Sequence, residues 1–359
     1  MISVTKPFLP SYEEYELYLK QIWDRNWLTN NGPLVNELEL KLKEFLDVNY
    51  LLYLNNGTVA LQIAIKALDL HGEIITTPFS YIATTSSILW EGCTPVFADI
   101  SADTLNIDPL KIEASITPLT SAILVTHTYG NPCDIDSIQV IADKHNLKVI
   151  YDAAHCFGTK YKGKTIFSYG NISTASFHAT KLFHTIEGGA VFTNSPDLLR
   201  RMAYMRNFGH NGPLDYAEIG INGKNSEFHA AMGLVNLKYV PTIIENRKKL
   251  FEKYLYWLKY IEGKTIKLNA DGEFNYAYFP LIFNTEEALL KATELLEGHW
   301  IFPRRYFFPA LNSLKFVKNQ ILPVCDEISK RVLCLPLYDS LTEEDIDFTC
   351  RIILRAQNN

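Results

Sequence analysis

The sequence predicts an α/β protein: a large domain on a mainly parallel sheet, followed by a smaller α/β domain. Three observations carry this. Strand-like and helical patterns alternate over the first two-thirds of the chain. After about residue 260 the pattern turns strand-rich and then mixed. The length, 359 residues, exceeds what one small core needs. We place the large domain, with an N-terminal segment, over residues 1–245 and the small domain over 246–359.

The elements follow in order. LVNELELKLKEFL (34–46) has apolar residues at helical spacing. LLYL (51–54) is a short apolar strand, NNGT a turn, and VALQIAIKALDL (59–70) a helix. EIITTP (73–78) is a strand, the run after Phe79 a helix, and TPVFADI (94–100) a strand. AILVTH (122–127) is a buried strand, IDSIQVIADKHN (135–146) a helix and LKVIYDAA (147–154) a strand. STASFH (173–178) and AVFTN (190–194) are two more strands. A long helical pattern covers about 225–260, and Pro241 should break or bend it. YAYFPLIF, TEEALLKATELLE, RVLCLPLY and LTEEDIDFTCRIIL together read as the strand-rich and then mixed α/β pattern of the small domain.

Composition excludes several classes. Hydrophobic residues make up 47% and charged residues 21%, a globular profile. The net charge of −6 leaves no basic field for nucleic acid. No apolar run is long enough to span a membrane, and MISVTKPFLPSYEEYE has no signal-peptide pattern. Six scattered cysteines, without a CxxC pair, predict buried reduced thiols in a cytoplasmic protein and no metal site.

Four places could carry chemistry. NNGT (55–58) joins a strand to a helix, so the amides of Gly57 and Thr58 can meet an anion at a helix N-terminus. It is neither a GxGxxG nor a P-loop pattern, and taken alone it reads first as a plain capped turn. In YDAAHCFG (151–158), Asp152 ends an apolar strand, where open α/β sheets bind ligands. A carboxylate there needs a cation, a metal or several N–H donors. Ala153 and Ala154 leave room for a flat ring, and His155 is either beside that ring or a satisfied core histidine.

The third place is SFHATKLFHTIEGGAVFTN (176–194). Lys181 sits among apolar neighbours, Ser176 offers a hydroxyl, and Gly188-Gly189 permits a tight turn behind the lysine. A lysine amine bonds carbonyl carbon once its proton can leave. Pyridoxal phosphate (PLP) requires such a lysine, a carboxylate for its pyridine nitrogen and an anion site, and Lys181, Asp152 and the Gly57-Thr58 turn supply them. His178, His184 and Glu187 are assigned to structural packing. The fourth place, GINGKNSEFHAAMG (220–233), reads physically as a loop with Asn225 or Ser226 capping a closely packed helix.

Together with NNGPLVNELE (30–39), EIITTPFSYIATTSSILWEGCTPVFADI (73–100), THTYGNPCDID (126–136) and LCLPLY (333–338), these motifs make the chain resemble the DegT/DnrJ/EryC1/StrS sugar aminotransferases almost end to end. That resemblance implies a PLP-dependent fold type I enzyme. Lys181 would be the Schiff-base lysine and proton carrier, and Asp152 would pair with the pyridine nitrogen. Tyr81 would stack on the ring, His155 would lie near its hydroxyl, and Gly57, Thr58 and Ser176 would hold the phosphate. Asn222 would reach the phosphate of a neighbouring subunit, implying a homodimer with shared active sites. Family dehydratases carry histidine at the lysine position, so Lys181 points to transamination.

The resemblance also implies L-glutamate as amino donor, with 2-oxoglutarate as its product, and a dTDP-linked keto-sugar as acceptor. QIWDRNWLTNNGP (21–33), TTPFSYIAT and GNPCDID are most similar to enzymes that aminate C4 of dTDP-4-keto-6-deoxyglucose for O-antigen or related glycans. Enzymes that aminate C3 share SFHATK and the 220–233 loop, so both carbons stay open. Candidate substrate contacts are Trp27, Thr29, Asn30, Lys224 and the aromatic stretch RRYFFP (304–309); Arg304, Arg305 or Lys224 would meet a diphosphate or the glutamate carboxylate. Two other classes remain, an inactive PLP-binding regulator and a sugar-nucleotide glycosyltransferase.

Overall fold

The computed structural model describes residues 1–358. Seven strands form the main sheet: β1 (Tyr50–Leu54), β2 (Glu73–Thr76), β3 (Thr94–Phe97), β4 (Thr120–Thr126), β5 (Lys148–Asp152), β6 (Ile172–Ser176) and β7 (Gly189–Thr193). Their order across the sheet is β1-β7-β6-β5-β4-β2-β3. Pairings β2–β3, β2–β4, β4–β5 and β5–β6 are parallel, while β7 runs antiparallel to both β1 and β6. The sheet is therefore mainly parallel, and all strands except β7 end on the same edge.

Alternate residues of each strand enter different cores, as the two-residue period dictates. Ile75, Ile123, Val125, Val149 and Tyr151 pack into one cluster with the Pro33–Leu46 helix. Ile74, Leu124, Ile150 and Val191 pack into another with the Gly57–Ala67 helix. Burial on both faces is why these strands read as continuous apolar runs.

The small domain pairs Phe279–Ile282 antiparallel with Val332–Leu335. The Glu286–Gly298 and Glu343–Asn358 helices cover this pair, around Leu281, Phe283, Leu289, Leu333, Ile346 and Ile353. The helical run expected over 225–260 is two helices, Glu227–Leu237 and Val240–Trp257, with Pro241 in the first turn of the second. Proline is tolerated there because a first-turn amide has no intrahelical partner. The Val240–Trp257 helix carries Ile243 into the main core and Leu250, Phe251 and Tyr254 into the small-domain core. The 245/246 line thus falls inside a continuous helix that spans both cores.

One long-range cap ties the N-terminal region to the site loops. The Pro33–Leu46 helix has no side-chain cap at Gly32. Instead, the buried carboxylate of Glu227 accepts from the amides of Leu34 and Val35, each at 2.9 Å. A Cβ on Gly32 would stand 2.5 Å from Glu227 Cδ, so a side chain there would displace the carboxylate from this position. Replacing Glu227 by alanine leaves two buried amides unpaired. We expect Glu227→Ala to lower unfolding stability by about 3 kcal/mol, read as a lower urea midpoint at unchanged slope.

Candidate active site

The site lies where the parallel strands end, as expected for an open α/β sheet. It is a cavity of about 400 Å³. Its walls come from the Asn56–Thr58 turn, the Ser80–Tyr81 turn, the ends of β4, β5 and β6, and the 304–307 loop of the small domain.

Asp152 closes β5 and is buried. Its Oδ2 accepts from Thr84 Oγ1 at 2.8 Å and its Oδ1 from the Ala154 amide at 3.1 Å. Ser80 lies 2.8 Å from both Thr84 Oγ1 and Thr126 Oγ1, so the carboxylate sits on a hydroxyl chain. Burial pushes the Asp152 carboxyl upward; the bonds from Thr84 and Ala154 and the charge of Lys181 act against it. Among the described residues no cation forms an ion pair with it, so a cationic ring nitrogen would supply the missing counter-charge.

Lys181 follows β6 in a turn closed by its own amide donating to His178 O at 2.9 Å. Its Nζ donates to the hydroxyl of Tyr278 at 3.3 Å. Burial pulls the Lys181 amine down, with Asp152 opposing. Depressing that value favours the neutral amine, the form that attacks carbonyl carbon and accepts a proton.

The anion end is at the start of the Gly57–Ala67 helix. Asn56 caps it by accepting from the Val59 amide at 2.8 Å. The first-turn amides of Gly57 and Thr58 have no intrahelical acceptor, and both residues line the pocket with Ser176. A Cβ on Gly57 would come 3.0 Å from Ser176 Cβ, so glycine leaves the cradle open.

His155 is buried beside the pocket, its ring parallel to Phe307 and edge-on to Tyr278 at 4.9 Å. Its Nδ1 accepts from the Tyr129 amide at 3.2 Å. Burial holds the imidazole neutral, well below its ordinary range, so Nε2 carries the hydrogen and can donate. Tyr81 lines the pocket and is 59% exposed, leaving its ring free to cover a bound heterocycle.

Gly57, Thr58, Tyr81, Asp152, His155, Ser176 and Lys181 are thus gathered in one cavity, and Arg304 joins them. The remaining predicted residues stand elsewhere on this chain. Trp27, Thr29 and Asn30 are exposed in the connector before Pro33, where the Trp27 indole donates to Thr29 O. Lys224 donates to Asn222 Oδ1 at 2.9 Å and lies over the Phe208 ring. Arg305 is turned to Glu286 at 2.7 Å, to Lys330 O and onto Phe308.

Two expectations change. Gly188 and Gly189 do not supply a left-handed turn; the positive φ there belongs to Ile186. They serve close approach: a Cβ on Gly189 would lie 2.5 Å from the Asn56 carbonyl, and one on Gly188 would lie 2.0 Å from Thr185 Oγ1. His184 does pack structurally, 2.7 Å from Phe8 O. His178 and Glu187, however, line the pocket, 3.5 Å apart.

Thr84 and Tyr278 carry no assignment from the sequence, whereas Tyr306 and Phe307 belong to RRYFFP (304–309), the aromatic stretch expected among the substrate contacts, and line the pocket. Thr84 had a faint signal, a polar residue on the buried face of the Ile82–Trp90 helix. Tyr278 had none, because it arrives from the small domain. Six buried free cysteines and no cluster of three metal-ligating side chains occur among the described residues. No helix is long and apolar enough to cross a membrane.

A lysine and a buried carboxylate in one pocket, with a helix-start anion cradle on the same sheet edge, define a PLP-dependent aminotransferase of fold type I. The family model described as DegT/DnrJ/EryC1/StrS aminotransferase matches residues 11–354, and the chain belongs to that family. It is 42% identical to the dTDP-4-amino-4,6-dideoxy-D-glucose transaminase of Escherichia coli, over 98% of both chains. It is 43% identical to the Shigella dysenteriae protein of the same name, over 97% of this chain and 96% of that one. Among solved structures, DesI in the presence of its TDP-sugar product is similar, with TM-score 0.93 and 32% identity, over 99% of this chain and 92% of that one.

Proposed function

We propose that this chain transfers the amino group of L-glutamate to C4 of dTDP-4-keto-6-deoxyglucose. The products are dTDP-4-amino-4,6-dideoxyglucose and 2-oxoglutarate. The observation that carries the reading is Lys181 in one pocket with Asp152, within a chain similar from end to end to two transaminases of that name.

PLP, when bound, supplies an electron sink that weakens the Cα–H bond of the donor. The chain's residues do the rest. Asp152 holds the ring nitrogen protonated. Gly57, Thr58 and Ser176 bind the phosphate, Tyr81 covers the ring, and His155 donates from Nε2 to the ring oxygen. Lys181 anchors the cofactor through its amine and, once displaced, carries a proton to and from the reacting carbon.

Arg304 reaches the cavity with no acidic partner among the described residues, and we assign it to a substrate anion. Asn222, Lys224, Trp27, Thr29 and Asn30 stand outside this pocket; in this reading they complete the pocket of a second copy, as in a homodimer with shared sites. The buried thiols fit a cytoplasmic enzyme feeding O-antigen or a related glycan.

The test is incubation with PLP, L-glutamate and a panel of dTDP- and UDP-keto-sugars, with the new amine located by NMR. An amine on C4 of the dTDP sugar is expected. An amine on C3 would replace the carbon assignment. A cofactor absorbance band that no amino donor bleaches would favour the inactive regulator, and absence of any borohydride-fixed cofactor at Lys181 would favour a glycosyltransferase.

A further inference from the structure

Tyr278 is the structural residue closest in chemistry to Lys181, yet it comes from the small domain. Its hydroxyl is the hydrogen-bond partner of Lys181 Nζ, at 3.3 Å. The ring is buried, edge-on to His155 at 4.9 Å and packed near Tyr129 and Tyr306. Its backbone is clamped on two sides. Asn275 Nδ2 donates to His155 O at 2.7 Å and Phe157 O at 3.0 Å, the loop that follows Asp152. The Asn275 side-chain oxygen accepts from the Ala277 amide at 3.2 Å. Arg247 donates to Ala277 O at 3.1 Å and to Leu337 O at 3.2 Å. A phenol so held has little freedom, whereas a free lysine has four rotatable bonds.

We propose that Tyr278 is a positioning residue for the catalytic lysine, its hydroxyl holding the Lys181 amine in line with the reacting carbon whenever that amine is not bonded to the cofactor. The proposal rests on Lys181 being the catalytic lysine of the proposed function. A phenol suits the task better than a carboxylate. Burial pushes the Tyr278 phenol far up, so it stays neutral. A neutral partner orients the amine without fixing a charge on it, as an adjacent carboxylate would. The other groups facing the amine are Asp152, Cys156 and His155 from the strand end and loop, Tyr81 from the Ile82–Trp90 helix start, and Tyr306 from the small domain.

The experiment is Tyr278→Phe in the full chain, read two ways. In the loaded enzyme, kcat should fall about tenfold while both KM values move less than about twofold. In the cofactor-free chain, trace acetylation by acetic anhydride across pH, mapped by mass spectrometry, reports the titration of Lys181 against exposed Lys148. Loss of the acceptor destabilises the ammonium, so the Lys181 midpoint should fall by about half a pH unit or more. Tyr278→Gln, which restores an acceptor, should return it toward the parent value. If the phenylalanine chain gives no cooperative melt, Tyr278→Leu carries the same expectation. A Lys181 midpoint equal to that of the parent overturns the proposal, whatever turnover does. Labelling needs no sugar, so a chain that aminates none of the panel while keeping the Tyr278-dependent midpoint overturns the substrate reading instead.

Discussion

Lys181→Ala is expected to abolish amino transfer, with kcat falling by at least about 10⁴-fold. Three roles vanish together: covalent anchorage of the cofactor, abstraction of the donor proton, and its delivery to the acceptor carbon. Because they belong to one amine, the loss is not the sum of smaller effects. The chain should still fold, since among the described residues Lys181 takes part in no ion pair and makes one side-chain hydrogen bond, to Tyr278. PLP should still enter, held by the Gly57-Thr58 cradle and Ser176, but borohydride should fix none of it to the protein. Lys181→Arg should be equally inactive, because a guanidinium does not give up its proton at working pH. Single-turnover mixing with L-glutamate checks this directly: more than about 1% of the parent rate in either variant would remove Lys181 from the mechanism.

The second large effect is at Asp152. Asp152→Asn should lower kcat by about 10³-fold, with KM values for both substrates changed far less. An asparagine keeps the shape, and its oxygen still accepts from the Ala154 amide, but it cannot keep a pyridine nitrogen protonated. The same substitution should raise the thermal midpoint of the cofactor-free chain at neutral pH. Burial raises the Asp152 carboxyl in the folded state, so folding there favours the proton. The sign follows: stability from this group is greatest below the unfolded-state value near 3.9 and declines as pH rises past it toward the higher folded value. A neutral amide escapes that loss. Lower activity with higher stability marks a group strained for function. A variant that loses activity and stability together would instead make Asp152 a structural carboxylate of the hydroxyl chain through Thr84 and Ser80.

Much of this site was legible because its parts are local. Asp152 ends a strand, Gly57 and Thr58 begin a helix, and Ser176 and Lys181 lie five residues apart around one strand end. Each is a boundary between elements, and boundaries are where hydrophobic periodicity stops and a polar residue shows. Tyr278 was not legible in this way, and Tyr306 and Phe307 were legible only as part of the aromatic stretch RRYFFP. They sit in a region of dense aromatics, where a pocket wall and a core look alike as sequence. The paired arginines show the same limit. Arg304 and Arg305 are indistinguishable as neighbours, yet an antiparallel bridge from Arg304 to Cys334 sends one toward the pocket and the other to Glu286.

The glycines after Lys181 show how a correct residue can carry the wrong reason. Gly188-Gly189 suggested conformational freedom, but the demand comes from space, because β7 passes against the Asn56 carbonyl 133 positions earlier in the chain. Glu227 is similar: nothing near it in sequence indicates that it caps a helix beginning at Pro33.

Sequence alone indicated the α/β alternation, the parallel character of the sheet and the family, and it singled out the lysine, the carboxylate and the helix-start turn that the fold gathers in one pocket. These follow from periodicity and from chemistry that few residue types can perform. Tertiary structure alone decided that β7 enters the sheet antiparallel, that one helix joins the two cores, and that Tyr278 meets Lys181. The reason is distance along the chain: contacts between residues a hundred positions apart depend on how elements pack, and packing leaves no period in the sequence.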